Sequence, residues 1–463
     1  MKIINNVILT ILTAIVLVAC ESRLDIVPKG EITLDRIEEL ELLLNQEYKF
    51  GTWAGSDLGV IANTNVAVAG SIENILSNKS TYAYAALTYD ETINRPSIYL
   101  NDSRYNAVYK SINNMNTIIA KAYETTGSVD KKNQVIAEAH IMRAYLHFLM
   151  VNIHAAQYDD ATAANLGGIP YVSDINLGEI KSKRTVAEVY DNILLDCGDE
   201  YIDVLPDCND DCVRADRGFA NAVRATVLFQ MKRYAEAIPY AKTALAIRGT
   251  IDDRSVVKET LSWALQHDSK NNYVYMSGGN YISPGFTVLS YETKDLIDPD
   301  DFLLKYEANG WNEPMAAIMG GMPGSFIYYN SAVRQNVYGI RTEQIYYLLG
   351  EALIRTGEID NGLAEIDKVR EKRIENYKPF AGSVSTEAEA MELVRNAKAV
   401  EMIGSYQTFF DCKRWNSEPA YARVITRNLR DHGSFSISPD SPLWIFPFPA
   451  SATRINPTLT QNF

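Results

Sequence analysis

Apolar residues recur at a spacing of three or four through Leu34 to Leu44, Tyr105 to Ala122, Val135 to Ile153, Val186 to Ile202, Phe219 to Met231, Tyr234 to Ile247, Ile345 to Ile354, Leu363 to Val369 and Met391 to Ile403. No comparable period-two runs compete, so the pattern predicts an all-α chain. Thr185 with Glu188, and Thr386 with Glu389, carry the hydroxyl and carboxylate of a capping box and mark two helix starts. Residues 219–247 read as two helices broken only at Lys232-Arg233, and residues 342–373 as two more broken at Thr356-Gly357. Each pair is close to the roughly 34-residue length of a tetratricopeptide hairpin. In the second pair Leu349-Gly350 and Leu353 fall at packing positions of the first helix, and Ala364 faces back from the second.

Between about residues 48 and 100, and again between about 249 and 340, the periodicity fades into Gly, Asn, Asp, Pro and Tyr. This composition predicts long ordered loops, and a helical scaffold usually displays its function on such loops. Tyr outnumbers Phe 28 to 14, favouring the aromatic with a polar tip that suits half-exposed contact surfaces. The candidate contact residues are therefore the loop aromatics Trp53, Tyr82, Tyr84, Tyr99, Tyr273, Tyr275, Tyr281, Trp311, Tyr328 and Tyr329. The net charge of −14 over 463 residues repels phosphate backbones and argues against nucleic acid as a partner.

The first residues read as an export leader: Lys2, a short apolar run from Val7 to Val18, then Leu17-Val18-Ala19-Cys20. This ending resembles the lipobox of bacterial lipoproteins. The apolar run is too short to span roughly 30 Å of hydrocarbon, so residues 1–19 are expected to be removed and Cys20 lipidated. The body then sits outside the cytoplasm, held at a membrane by its lipid anchor. Cys197, Cys208, Cys212 and Cys412 remain, and Cys208 and Cys212 are near enough in sequence either to pair or to stay as thiols. The run Asp207-Cys208-Asn209-Asp210-Asp211-Cys212 lacks the Gly and Glu of an EF-hand and reads as a solvated acidic turn.

The patterns that catalysis requires are mostly absent. His140, His147 and His154 are seven residues apart, about 10.5 Å of helix rise per step, too far for two of them to share one metal ion. They read as packed or hydrogen-bonded residues. No HExxH, GxSxG, GxxxxGK[ST] or helix-opening GxGxxG occurs. The reading is a binding protein with no cofactor or metal, rather than an enzyme.

Several motifs, in order, carry a family resemblance. Ala137-Glu138-Ala139-His140-Ile141-Met142-Arg143-Ala144-Tyr145-Leu146-His147-Phe148 is followed by Gly167-Gly168-Ile169-Pro170, then by Arg184-Thr185-Val186-Ala187-Glu188-Val189-Tyr190 with Asp196 and Leu205-Pro206. Further on come Ile345 to Leu353 with Gly350-Glu351-Ala352, then Val369-Arg370, Asp411-Cys412-Lys413-Arg414-Trp415 and Pro447-Phe448-Pro449. The last is Ile455-Asn456-Pro457 with Leu459 and Gln461-Asn462. Their order and spacing resemble the SusD/RagB family of Bacteroidota surface lipoproteins almost from end to end. Before Asp411 the family's acidic helix is altered: Ala397, Ser405-Tyr406 and Thr408 stand where it usually has Glu, Glu-Gly and Arg, leaving Glu401. Those swaps bear on local salt bridges rather than on the fold. Arg414 and Trp415 read as structural, a buried guanidinium answered by a carboxylate such as Asp411 with the indole beside it.

The resemblance implies a scaffold of tetratricopeptide-like hairpins with loops facing a ligand, an N-terminal part at about 20–230 and a C-terminal part at about 231–463. It also implies a surface lipoprotein on the outer membrane that binds an oligomeric nutrient, glycan or peptide, and acts as the lid of a TonB-dependent SusC-like transporter without chemistry on the ligand. A helical-repeat adaptor for a protein partner is the alternative that the same hairpins allow.

Overall fold

The computed structural model describes residues 34–50, 56–66, 72–209, 211–255, 270, 272–277, 285–305, 327–330 and 336–463. Cys20, Trp53, Tyr281 and Trp311 lie outside the described residues. The helical expectation holds: α1 (Ser103–Lys121), α2 (Val129–His154), α3 (Val186–Asp196), α4 (Arg217–Gln230), α5 (Tyr234–Ile247), α6 (Thr342–Arg355), α7 (Ile359–Arg370), α8 (Glu387–Glu401) and α9 (Gln407–Asn416) form the scaffold. The pairs α1–α2, α4–α5 and α6–α7 pack as hairpins, α5 joins α6 across two of them, and α8 covers α6 and α7. Among the described residues no helix is long and apolar enough to cross a membrane.

Local chemistry sets the helix ends. Both predicted capping boxes form, with the Thr185 and Thr386 side chains accepting from the backbone N–H of Glu188 and Glu389. α4 ends at the predicted break, where Lys232 takes a φ of 64°, and α6 ends at Gly357 with φ +94°. Gly357 has open space around it, so its backbone conformation alone selects glycine. Within the α6–α7 hairpin, Gly350 and Gly362 sit at the crossing point, where a Cβ on either would collide with the other's carbonyl oxygen.

The structure corrects two sequence expectations and adds one helix. The stretch Val186 to Ile202 is two helices, because Cys197 leaves helical geometry and Gly198 caps a separate turn, Asp199–Ile202. α9 is absent from the apolar periodicity because Gln407, Thr408, Asp411, Lys413 and Arg414 are polar yet buried with Phe409, Phe410 and Trp415, so its inward faces do not read as apolar. Residues 48–100 are not all loop. They contain the short helices Ser56–Ile61, Ile72–Ser77, Tyr82–Thr88 and Arg95–Ile98, each too brief to register as a helical period. Small sheets tie the two loop regions together: Asn65–Val66, Gly285–Leu289 and Ile327–Asn330 form an antiparallel trio, and Tyr48–Lys49 pairs in parallel with Met276–Ser277.

The core centres on α2, whose residues from Val135 to His154 are buried apart from His140. A helix buried on all sides needs neighbours on every face, here α1, α3, α4 and the C-terminal segment, whose Phe446 N–H donates to the carbonyl of Ile153 (2.9 Å).

Candidate functional site

Of the ten aromatic candidates, the described structure brings two together as a half-buried pair. Tyr82 opens the helix Tyr82–Thr88, whose first turn is capped by the Thr81 hydroxyl, and Tyr99 follows the helix Arg95–Ile98. Their ring centroids are 5.3 Å apart at 43°, and Tyr82 also tilts against Phe446 at 5.7 Å. The Tyr99 hydroxyl donates to Asp102 Oδ2 (2.6 Å), which fixes its ring. Asp102 also caps α1 through the N–H groups of Arg104 and Tyr105. Burial works against the Asp102 carboxylate, but Arg104, His154 and these hydrogen bonds outweigh it and hold the acid below its ordinary range.

The C-terminal segment fastens this surface from behind. Ala450 and Ser451 donate their N–H groups to the carbonyls of Tyr99 and Leu100, both at 3.0 Å. Arg95 donates to the carbonyls of Pro442 and Ile445, both at 2.8 Å, and its guanidinium lies 4.0 Å from the centre of the Phe463 ring. Phe446, Arg95 and Asp102 were missed by sequence reasoning. Phe446 lies hundreds of residues from Tyr82, and no local pattern connects them.

The remaining candidates divide. Tyr84 is half-buried against a small apolar cluster of Val66, Ile72, Ile75, Leu87, Tyr291 and Leu429. Tyr328 and Tyr329 lie in the strand Ile327–Asn330, in register with Thr287 and Phe286. Tyr273 and Tyr275 are not loop-displayed, which corrects the expectation. They are 0% and 4% exposed, because their backbone runs through the interior, donating to the carbonyls of Ile340 (3.0 Å) and Cys212 (2.7 Å). The Tyr273 hydroxyl is turned inward onto the Arg248 carbonyl at 2.6 Å.

The other singled-out residues are structural. Arg414 is fully buried as expected, but its main carboxylate is Glu351, which takes two parallel hydrogen bonds at 2.7 and 2.9 Å, while Asp411 takes one at 3.0 Å. Trp415 Nε1 donates to the same Glu351 (2.9 Å). Glu401, the acid kept in the altered segment, receives Arg373 Nε at 2.8 Å. Burial opposes its charge, but Arg254 and Arg373 draw it down to about 2. The histidines are packed and hydrogen-bonded as read. His140 contacts Asp196 (2.8 Å) and stacks on Tyr201 (3.9 Å), while His147 and His154 are fully buried. Cys208 and Cys212 are not joined to each other, and Cys197 and Cys412 are buried thiols.

Hairpins fused around one central helix, with loop regions gathered by short strands, define a helical-repeat scaffold protein. Comparison with known families places it further. Residues 36–228 match a SusD-like family profile described as starch-binding associating with outer membrane, and residues 327–463 match the SusD family profile. The chain belongs to the SusD/RagB family. Solved structures share its fold over nearly full lengths. A SusD superfamily protein from Bacteroides thetaiotaomicron is 16% identical with a TM-score of 0.70, covering 92% of this chain and 100% of its own. A SusD-like carbohydrate binding protein from Bacteroides vulgatus is 14% identical (TM-score 0.66, coverage 92% and 98%). Another SusD-like carbohydrate binding protein, from Bacteroides fragilis, is 15% identical (TM-score 0.64, coverage 92% and 99%). No curated protein matches the chain by sequence.

Proposed function

We propose that this chain is a lipoprotein anchored through Cys20 to the outer membrane, facing outward, that captures an oligosaccharide and passes it to a TonB-dependent SusC-like transporter as that barrel's lid. The observation that carries this reading is membership of the SusD/RagB family at both ends of one continuous body, residues 36–228 and 327–463. Two similar structures are described as carbohydrate binding proteins, which favours a glycan over a peptide. The half-buried Tyr82–Tyr99 pair supplies aromatic rings of the kind on which sugar C–H groups dock, with Tyr99 held by its hydrogen bond to Asp102. Capture of this sort rests on shape and stacking and breaks no bond in the ligand.

Calorimetry of the purified mature chain against starch fragments, other glycans and peptides tests the reading. Saturable binding of a glycan class that is recovered intact is the expected result. Binding of peptides alone, or release of new reducing ends from the glycan, overturns it.

A further inference from the structure

A cleft lies at the seam between the C-terminal end of α9, the chain just after α2 and residues 439–445. Lys413 lines it and is 4% exposed. Its ammonium donates to the carbonyls of Asn152 and Ala155, the latter at 2.7 Å, and so caps the C-terminal end of α2. An ammonium has three donors, and these two bonds leave one over. No carboxylate among the described residues pairs with it, and burial alone pushes the amine down to about 7. One turn further along α9, Asn416 lines the same cleft, and its shielded Nδ2 has no acceptor among the described residues.

The Lys413 ammonium also lies 5.5 Å from the centre of the Phe409 ring, so the unmet hydrogen-bonding capacity on this face of α9 is the Asn416 amide and the one N–H that Lys413 has left after its two carbonyl bonds. The other polar groups of the cleft are already engaged. Trp444 Nε1 donates to the Ser438 carbonyl (3.0 Å), and Gln157 exchanges hydrogen bonds with Gln230. Asp440, the acid on the rim, is exposed and turned to Ser438. The cavity volume, about 190 Å³, suits a carboxylate or sulfate group carrying at most one sugar ring.

We propose that this cleft is an oxyanion subsite, in which one oxygen of a small carboxylate or sulfate ester accepts from the Lys413 ammonium and another from the Asn416 amide. A neutral sugar cannot supply the missing charge, so the site selects acidic ligands. The proposal is independent of the Tyr82–Tyr99 surface and of the capture of neutral glycans there.

The test is thermal melting and calorimetry of the mature chain with acetate, glucuronate and sulfate, each against chloride at equal ionic strength, with glucose as the neutral control. Saturable stabilisation by at least one oxyanion and none by glucose is expected. Response to the carboxylates alone identifies a carboxylate ligand, and response to sulfate alone identifies a sulfate ester. Because Lys413→Met also removes a helix cap, Asn416→Leu is the deciding variant, and it should weaken the response at least tenfold. No saturable effect from any oxyanion, or an effect unchanged in Asn416→Leu, overturns the proposal. Calorimetry with neutral glycans reports separately on the capture reading.

Discussion

Arg414 of α9 and Glu351 of α6 face each other through two parallel hydrogen bonds, Nη1 to Oε1 at 2.7 Å and Nη2 to Oε2 at 2.9 Å, and neither side chain has any exposed area. Burial alone would push the Glu351 carboxyl up, yet the charges of Arg414 and Lys398 hold it below its ordinary range. The ionised pair is therefore the stable form inside the protein. Glu351→Gln removes the bidentate partner and leaves Arg414 a single carboxylate bond, that to Asp411, and urea denaturation should show a loss of about 3–5 kcal/mol. Replacing both residues by Met should cost less than the two single changes added together. Equal costs would mean that the two residues act independently.

At the α6–α7 crossing, a Cβ on Gly350 would lie 2.7 Å from the Gly362 carbonyl oxygen, and one on Gly362 would lie 2.4 Å from that of Gly350. The obstacle in each case is backbone, which cannot rotate away. Gly350→Ala and Gly362→Ala should each lower stability by about 1–3 kcal/mol through overpacking, measured by thermal unfolding. Gly357→Ala tests a different cost, that of the left-handed backbone, with no steric clash involved. A neutral outcome at Gly362 would show that the hairpin can open at its crossing.

Acid should destabilise the fold partly through two histidines. Burial lowers His147 to about 3 and His154 to about 4. His147 Nε2 accepts from the Val172 N–H (3.1 Å), so a proton there breaks a hydrogen bond as well as burying a charge. Between the unfolded value near 6.5 and these folded values, the unfolded chain binds protons that the folded chain refuses. Stability therefore falls as pH drops from about 6.5 towards 4, by about 1.4 kcal/mol per pH unit for each histidine. Asp301, raised to about 6 by burial, takes up a proton on folding in the same region and offsets part of this. His147→Gln should flatten the pH dependence of the unfolding midpoint. An unchanged slope would remove His147 from the account.

If the Tyr82–Tyr99 pair forms part of the capture surface, Tyr82→Ala and Tyr99→Ala should each reduce glycan affinity about tenfold, roughly 1.4 kcal/mol. Tyr273→Ala should instead reduce stability, since that ring is in the core. Calorimetry and unfolding on the same samples separate the two effects. Full retention of affinity in a Tyr82 and Tyr99 double variant would place the site on other residues.

Much of the scaffold was legible because its signals are local. Thr185 with Glu188, the break at Lys232-Arg233 and Gly357 each act within one or two helical turns, and each appears where the sequence pattern placed it. The half-buried pair was legible in part. Residue type and loop composition point to Tyr82 and Tyr99, and they point equally to Tyr273 and Tyr275, which the fold places inside. Asp411, three residues from Arg414, is the partner that nearness in sequence suggests. The dominant partner proved to be Glu351, since a helix face meets its neighbouring helix as well as its own next turn.

The helices, their capping and the hairpin breaks are legible along the chain, because periodicity and cap chemistry depend on residues a few positions apart. The sequence also holds, in widely spaced motifs, the mark of the family. Packing settles which tyrosines are half-exposed, that Phe446 backs Tyr82, that Glu351 receives Arg414 and that Lys413 and Asn416 share a cleft. Those relationships join distant parts of the chain, and burial becomes defined only when those parts pack together.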